Sequence, residues 1–246
     1  ENPSQYIDMK LKLVLLLLCL PTLSTTTTPV LRNPGLPASE AFVIHEYLDA
    51  KTGYVTSTIH IELKGDNDSK YYAIVVDEGG LYRNEINVNY ADLTTISEKR
   101  IDLKDNKVVQ SFEKKGDQVH FFNAEKSLDK TYTTNETNIY SPLAYLVAFR
   151  GFPFKEGNRV SFKTYMYAYG GVLSMNLEQI GVKTVAVKAG TFTCNVLALS
   201  VGGWQSLFAP EKYYFYYSVD YPYPFVKFED MEDGKLMADE LMRNLD

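Results

Sequence analysis

The chain has 246 residues, 45% apolar and 23% charged, enough to bury the core of one large β domain and too apolar for wholesale disorder. Acidic residues outnumber basic ones 31 to 25, and a net charge of −6 excludes the basic footprint of a nucleic-acid binder. Two cysteines and three histidines leave too few ligands for a Cys/His metal cluster, while 19 Tyr and 13 Phe tilt the composition towards sheet.

Residues 1–24 read as an N-terminal extension and a signal peptide. Lys10 and Lys12 follow Met9, Leu11 to Leu20 form a short apolar core, and Pro21 precedes small residues around Ser24. Lys12 and Pro21 interrupt the run, which is therefore too short for a membrane-spanning helix. Leu18 stands before Cys19, where a lipidation motif requires a small residue. Residues 25–40, with four threonines and then Pro29, Pro34 and Pro37, read as a solvated linker.

Residues 41–246 form the folded domain, expected as a single curved antiparallel sheet making an open, unclosed barrel with one short helix. Period-2 alternation predicts a strand at 54–63, with Ser57, Ile59, Ile61 and Leu63 on one face and Thr58, His60 and Glu62 on the other. Gly65-Asp66-Asn67-Asp68 closes it as a turn, since the central Gly and downstream Glu of a calcium loop are missing. Further strands are predicted at 71–76, 81–90, 96–103, 108–114 and 118–124, broken by Gly, Asn and Asp clusters. Ser141 as N-cap, Pro142 at the first helical position and Gly151 at the end predict the helix, with Leu143, Leu146 and Val147 on one face. Strands follow at 159–169, 172–180, 182–187, 191–201, 212–219, 223–230 and 235–241. The runs 71–76 and 213–217 are apolar on both faces, so something must cover each second face: the helix, the barrel interior, a bound apolar molecule or a partner.

Motifs for catalysis are absent: no GxSxG, P-loop, GxGxxG or HExxH occurs. His45, His60 and His120 stand singly on strands, and the acidic run 229–233 precedes Gly234 as a hairpin tip. Cys194 alternates with Phe192, Val196 and Ala198 as a buried apolar residue. Asn67-Asp68-Ser69 and Asn135-Glu136-Thr137 are glycosylation sequons. Trp204, beside Gly202-Gly203, reads either as a plug under a loop or as a ligand-facing anchor.

The segment Val182 to Phe192, ending Ala189-Gly190-Thr191-Phe192, resembles a hairpin of the DUF3108-like bacterial envelope proteins. Tyr216-Tyr217-Ser218-Val219-Asp220, Phe225-Val226-Lys227-Phe228 and the run from Leu146 to Gly157 are similar to segments of the same family. Lys188 stands where that family usually has Pro. The resemblance covers about 141–241. It implies an open β-barrel related in shape to lipoprotein-carrier domains and supplies no catalytic residues. Together these observations lead us to expect an exported, non-enzymatic protein of the periplasm or cell envelope, with no cofactor and no metal. It would hold a hydrophobic ligand such as a lipid, with Tyr165, Tyr167, Trp204, Tyr214 and Tyr216 lining the pocket. The alternative is a structural or assembly protein that turns the same aromatic surface to a protein partner. A hydrolase would instead need a histidine and a carboxylate converging in a cleft.

Overall fold

The computed structural model describes residues 30–49, 52–167, 170–203, 212–232 and 235–245. The signal peptide and Trp204 lie outside them. Among the described residues no helix is long and apolar enough to cross a membrane.

The first half is a run of strands: β1 (Ser39–Asp49), β2 (Gly53–Lys64), β3 (Tyr71–Glu78), β4 (Tyr82–Asn89), β5 (Thr95–Asp102), β6 (Lys107–Lys115), β7 (Gln118–Asn123) and β8 (Leu128–Thr133). After β9 (Ile139–Tyr140) comes a helical segment, 142–151, whose central turn is α1 (Tyr145–Ala148). The second half is β10 (Arg159–Met166), β11 (Gly171–Val187), β12 (Gly190–Val201), β13 (Lys212–Ser218), β14 (Phe225–Glu232) and β15 (Lys235–Leu245).

Among the described residues all 15 strands belong to one sheet, ordered β8-β7-β6-β5-β4-β3-β2-β1-β15-β14-β13-β12-β11-β10-β9. Each half is thus a meander, and the two join where β1 pairs antiparallel with β15. The edges are β8 and β9, and the sheet curves into an unclosed barrel, as expected. Among the described residues only β9 and β10 pair in parallel, because the helical segment between them carries the chain back across the sheet.

The strands follow their side-chain alternation. In β2, Ser57, Ile59 and Ile61 are buried and His60 and Glu62 exposed, matching the predicted parity. In β3 every second residue is buried and the intervening ones are half-buried, so its apolar second face is only partly covered. In β13 both faces are covered. Phe215 and Tyr217 point into the main core, and Tyr216 packs with Cys194, Val196 and Val226 on the outer face. Cys194 is fully buried there, and burial pushes its thiol up to about 12, as an inert apolar residue should behave.

Three expectations need correction. The strands predicted at 172–180 and 182–187 are one strand, β11, which continues through a register shift between Gln179 and Gly181. Gly181 has φ +146, a backbone open to glycine, so the chain bends there without ending the ladder. Strands β8 and β9 were not predicted. The sequence Leu-Asp-Lys-Thr-Tyr-Thr of β8 is an exposed edge and carries almost no alternation, and β9 spans two residues. Finally, residues 30–40 are not a solvated linker. Leu31 and Leu36 are buried in the main core, and Arg32 N donates to the Gly151 carbonyl at 3.1 Å. A Cβ on Gly151 would stand 2.4 Å from the Arg32 carbonyl oxygen, which is why this contact needs glycine.

The helical segment fills the inner side of the sheet. Ser141 caps it by accepting from Leu143 N at 3.1 Å, as its sequence predicts. Ala144, Tyr145, Val147, Ala148, Phe149 and Phe152 are buried against strands of both halves. Its burial is wider than one amphipathic face, because tight 3-10 turns on either side of α1 spread side chains around the axis.

Candidate functional site

The four described residues of the expected lining, Tyr165, Tyr167, Tyr214 and Tyr216, fall into two separate groups. Tyr165 is fully buried and stacks on Phe112, with centroids 4.0 Å apart and planes 1° apart. Phe112, Val119 and Phe121 come from one edge region of the sheet, and Ile139 and Tyr165 from the other, so this cluster closes the seam with side chains where backbone pairing stops. Tyr167 is half-buried beside it. Tyr214 and Tyr216 lie apart from this cluster, on the outer face of β13, with the Tyr216 hydroxyl donating to Glu229 at 2.6 Å.

Beneath the seam lies a polar network. Fully buried Glu98 of β5 accepts from Ser141 Oγ and, at 2.6 Å, from the Tyr167 hydroxyl, which also meets the Tyr165 hydroxyl at 2.8 Å. Burial holds the Glu98 carboxyl above its usual range against these hydrogen bonds. A β5 side chain thereby ties the helix cap and the far edge of the sheet together.

A second row of polar groups lies further along the inner face. Glu46 accepts from Ser57 Oγ, and Glu78 takes both ends of the Arg100 guanidinium, at 3.2 and 2.5 Å. Asp239 accepts from Tyr47 N at 2.8 Å, where the β1–β15 ladder ends. Burial raises Glu46 to about 7 and Asp239 to about 6. Both carboxyls therefore keep their protons in the folded chain at pH values where the unfolded chain has lost them. Their penalty is absent below about pH 4 and grows as pH rises to about 7, so folding stability should fall across that window. Glu46→Gln removes the larger part. In urea unfolding at pH 8 the variant should exceed the wild type by up to about 3 kcal/mol, and at pH 4 by little. Equal differences at both pH values would refute a buried, protonated Glu46.

Of the three histidines, His120 is the one that hydrogen-bonds a carboxylate among the described residues, and that carboxylate, Asp129, lines a shallow cleft. His60 is exposed, and His45 stacks on Tyr54 at 4.9 Å. His120 pairs with Asp129 at 2.8 Å on the exposed rim of the seam, and among the described residues no hydroxyl or thiol hydrogen-bonds to it. Among the described residues no group of three or more His, Cys, Asp or Glu side chains is placed to hold a metal ion.

Open space occurs elsewhere. A shallow cleft of about 590 Å³ lies at the seam between β8 and the start of β11, lined by residues such as Tyr132 and Val172. A larger one, about 770 Å³, lies where the N-terminal stretch, the end of the helical segment and the β13–β14 turn meet. Its apolar wall is Val30, Pro34, Phe152, Pro153, Phe154, Tyr221 and Tyr223. Four of these rings form a continuous ladder: Phe152 to Phe154 at 5.6 Å, Phe154 to Tyr223 at 4.7 Å, and Tyr223 to Tyr221 at 5.9 Å.

The ladder is held from behind. Arg150 is 1% exposed; its Nη1 pairs with Glu40 at 2.6 Å and its Nε donates to the Pro222 carbonyl at 3.0 Å. Tyr223 has φ +61, a costly conformation for a bulky residue, and is fixed by its N–H donating to Asp220 O at 2.7 Å. Tyr221 is 63% exposed, and its hydroxyl donates to Gly35 O at 3.0 Å. This aromatic cleft was missed in the sequence. The signal was there in the aromatic–proline runs Phe152-Pro153-Phe154 and Tyr221-Pro222-Tyr223-Pro224, which stiffen a loop while presenting rings.

No protein-family model and no curated protein matches the chain, so the resemblance to DUF3108-like proteins has no support from those comparisons. Among solved structures, the chain is similar to a beta-barrel-like protein of the domain of unknown function DUF1849 from Brucella abortus. The identity is 9% and the TM-score 0.45, over 84% of this chain and 95% of that one. It is also similar to the hypothetical lipoprotein YmcC from Escherichia coli, at 8% identity and a TM-score of 0.32, over 90% of each chain.

Proposed function

We propose that this chain is an exported, non-enzymatic protein of the cell envelope that holds a hydrophobic ligand in the aromatic cleft. The observation that carries the reading is the ladder of four rings lining an open cleft of about 770 Å³, a volume in the range of small-molecule sites. Among the described residues the helical segment packs into the inner side of the sheet, and the Tyr165 cluster packs the seam. Export is supported by the positive, apolar and small-residue pattern of residues 9–24. A non-enzymatic role is supported by the buried polar groups themselves: the hydrogen bonds of Glu98, Glu78 and Arg150 tie strands and turns to one another.

Native mass spectrometry of the protein purified from its own envelope, followed by organic extraction, tests this. A reproducible bound mass of lipid size is the expected result. A clean apo mass without any delipidation step would contradict tight retention. It would favour the partner reading, for which one observation speaks: Met231 and Leu236 pair across β14 and β15 while remaining 49% and 57% exposed.

A further inference from the structure

We infer that the aromatic cleft is selective for an anionic amphiphile, a molecule with an apolar chain or ring system and a carboxylate or phosphate head. This rests on the reading of the cleft as a ligand site and names the chemistry of its ligand.

The chain as a whole carries a net charge of −6, yet the residues around the cleft include Arg32 and Lys155 and no Asp or Glu. Both cations are exposed, and among the described residues neither makes an ion pair or a side-chain hydrogen bond. Other polar lining side chains are engaged within the wall. Asn33 Oδ1 accepts from Gly35 N and Leu36 N, each at 2.9 Å, and Asn158 Nδ2 donates to Pro153 O at 2.7 Å. These three bonds shape the wall. The charged groups left to meet a ligand's head are therefore donors and cations.

Arg150 stands behind the same wall. Its side chain runs between two wall segments, bonded through the chain to Gly151 and by hydrogen bond to Pro222, and Glu40 balances its charge. Its remaining nitrogen, Nη2, is buried with no acceptor. Arg32 and Lys155 make the lining positive on an acidic molecule, which steers anions to this point and repels a cationic head. A neutral head would bring apolar surface to two cations without neutralising them. An Arg fork and a Lys ammonium match carboxylate and phosphate oxygens alike, so the two heads share one recognition chemistry.

Calorimetric titration of the full chain with single dodecyl compounds below their micelle concentrations tests the inference. Dodecyl phosphate and dodecanoate are the anionic probes, dodecyl maltoside the neutral one and dodecyltrimethylammonium the cationic one, with inorganic phosphate as the head alone. The anionic pair should bind about tenfold or more tighter than the maltoside, and the gap should narrow as salt is raised. The double variant Arg32→Gln/Lys155→Gln should lose the gap while keeping its maltoside affinity, which also shows that the wall is intact. Equal binding of anionic and neutral probes would overturn the head-group selectivity and leave the ligand reading standing. Binding by none of the dodecyl compounds would overturn both. Inorganic phosphate competing as well as dodecyl phosphate would make the site one for a free anion and overturn the amphiphile.

Discussion

Tyr165→Ala should cost about 3–5 kcal/mol of folding stability, the range for removing a fully buried aromatic side chain. Tyr165 is 0% exposed, lies face to face with Phe112 at 4.0 Å and edge-on to Phe121 at 5.4 Å, and shares a hydroxyl contact with Tyr167 at 2.8 Å. Its removal would open a cavity at the place where the two edges of the sheet meet without a backbone ladder. The loss should therefore exceed that of Tyr214→Ala, whose side chain is half-buried on the outer face. Urea unfolding of the three proteins decides it. A loss below about 1 kcal/mol for Tyr165→Ala would mean that the seam is not packed shut, and would return the barrel interior as a place for ligand.

Arg150→Met should be as damaging, by about 3–5 kcal/mol, because it strands a charge partner in a poorly solvated site. The guanidinium joins the helical segment to Glu40 of β1 at 2.6 Å and to the Pro222 carbonyl at 3.0 Å, so three separate stretches of chain depend on it. Replacing both members, as in Arg150→Met with Glu40→Leu, should cost less than the sum of the single changes. Simple additivity in a double-mutant cycle would show that the pair does not act as a unit. Arg150 also positions Pro222 between Tyr221 and Tyr223, so the single variant should weaken ligand binding at the aromatic cleft even where it remains folded.

Much of the fold was legible because most strands of a meander keep a side-chain period of two. The run 54–63 gave its parity without ambiguity, since polar and apolar residues alternate through it. The cap Ser141-Pro142 gave the helical start for the same local reason. What failed were features set by distant partners. β8 is an edge strand with Asp129, Lys130 and Thr131 in its middle, and only pairing with β7 makes it a strand. The break expected after Ile180 became a bulge, because β12 continues to pair on both sides of it. Leu31 and Leu36 looked like residues of a linker and are core, since the sheet offers them a site that no local pattern announces.

The site was less legible than the fold. Tyr165 and Tyr167 are important to the structure, but they fill space instead of lining it. Tyr214 and Tyr216 sit on the outer face, and Trp204 lies outside the described residues. An aromatic residue in a strand carries no mark of whether it faces a cavity or a neighbour. Phe154 and Tyr223, by contrast, sit beside prolines, where half-buried rings cannot be explained by strand pairing. Their meeting 4.7 Å apart depends on the turn at 219–224 and on Arg150, which only the folded chain brings together.

The most direct test of the account is photo-crosslinking with a diazirine-bearing fatty acid, followed by mapping of the labelled peptides. Labels on residues 152–158 and 221–223 are the predicted result. Labels concentrated instead on the strands around Phe112 and Tyr165, or no specific labelling at all, would contradict it.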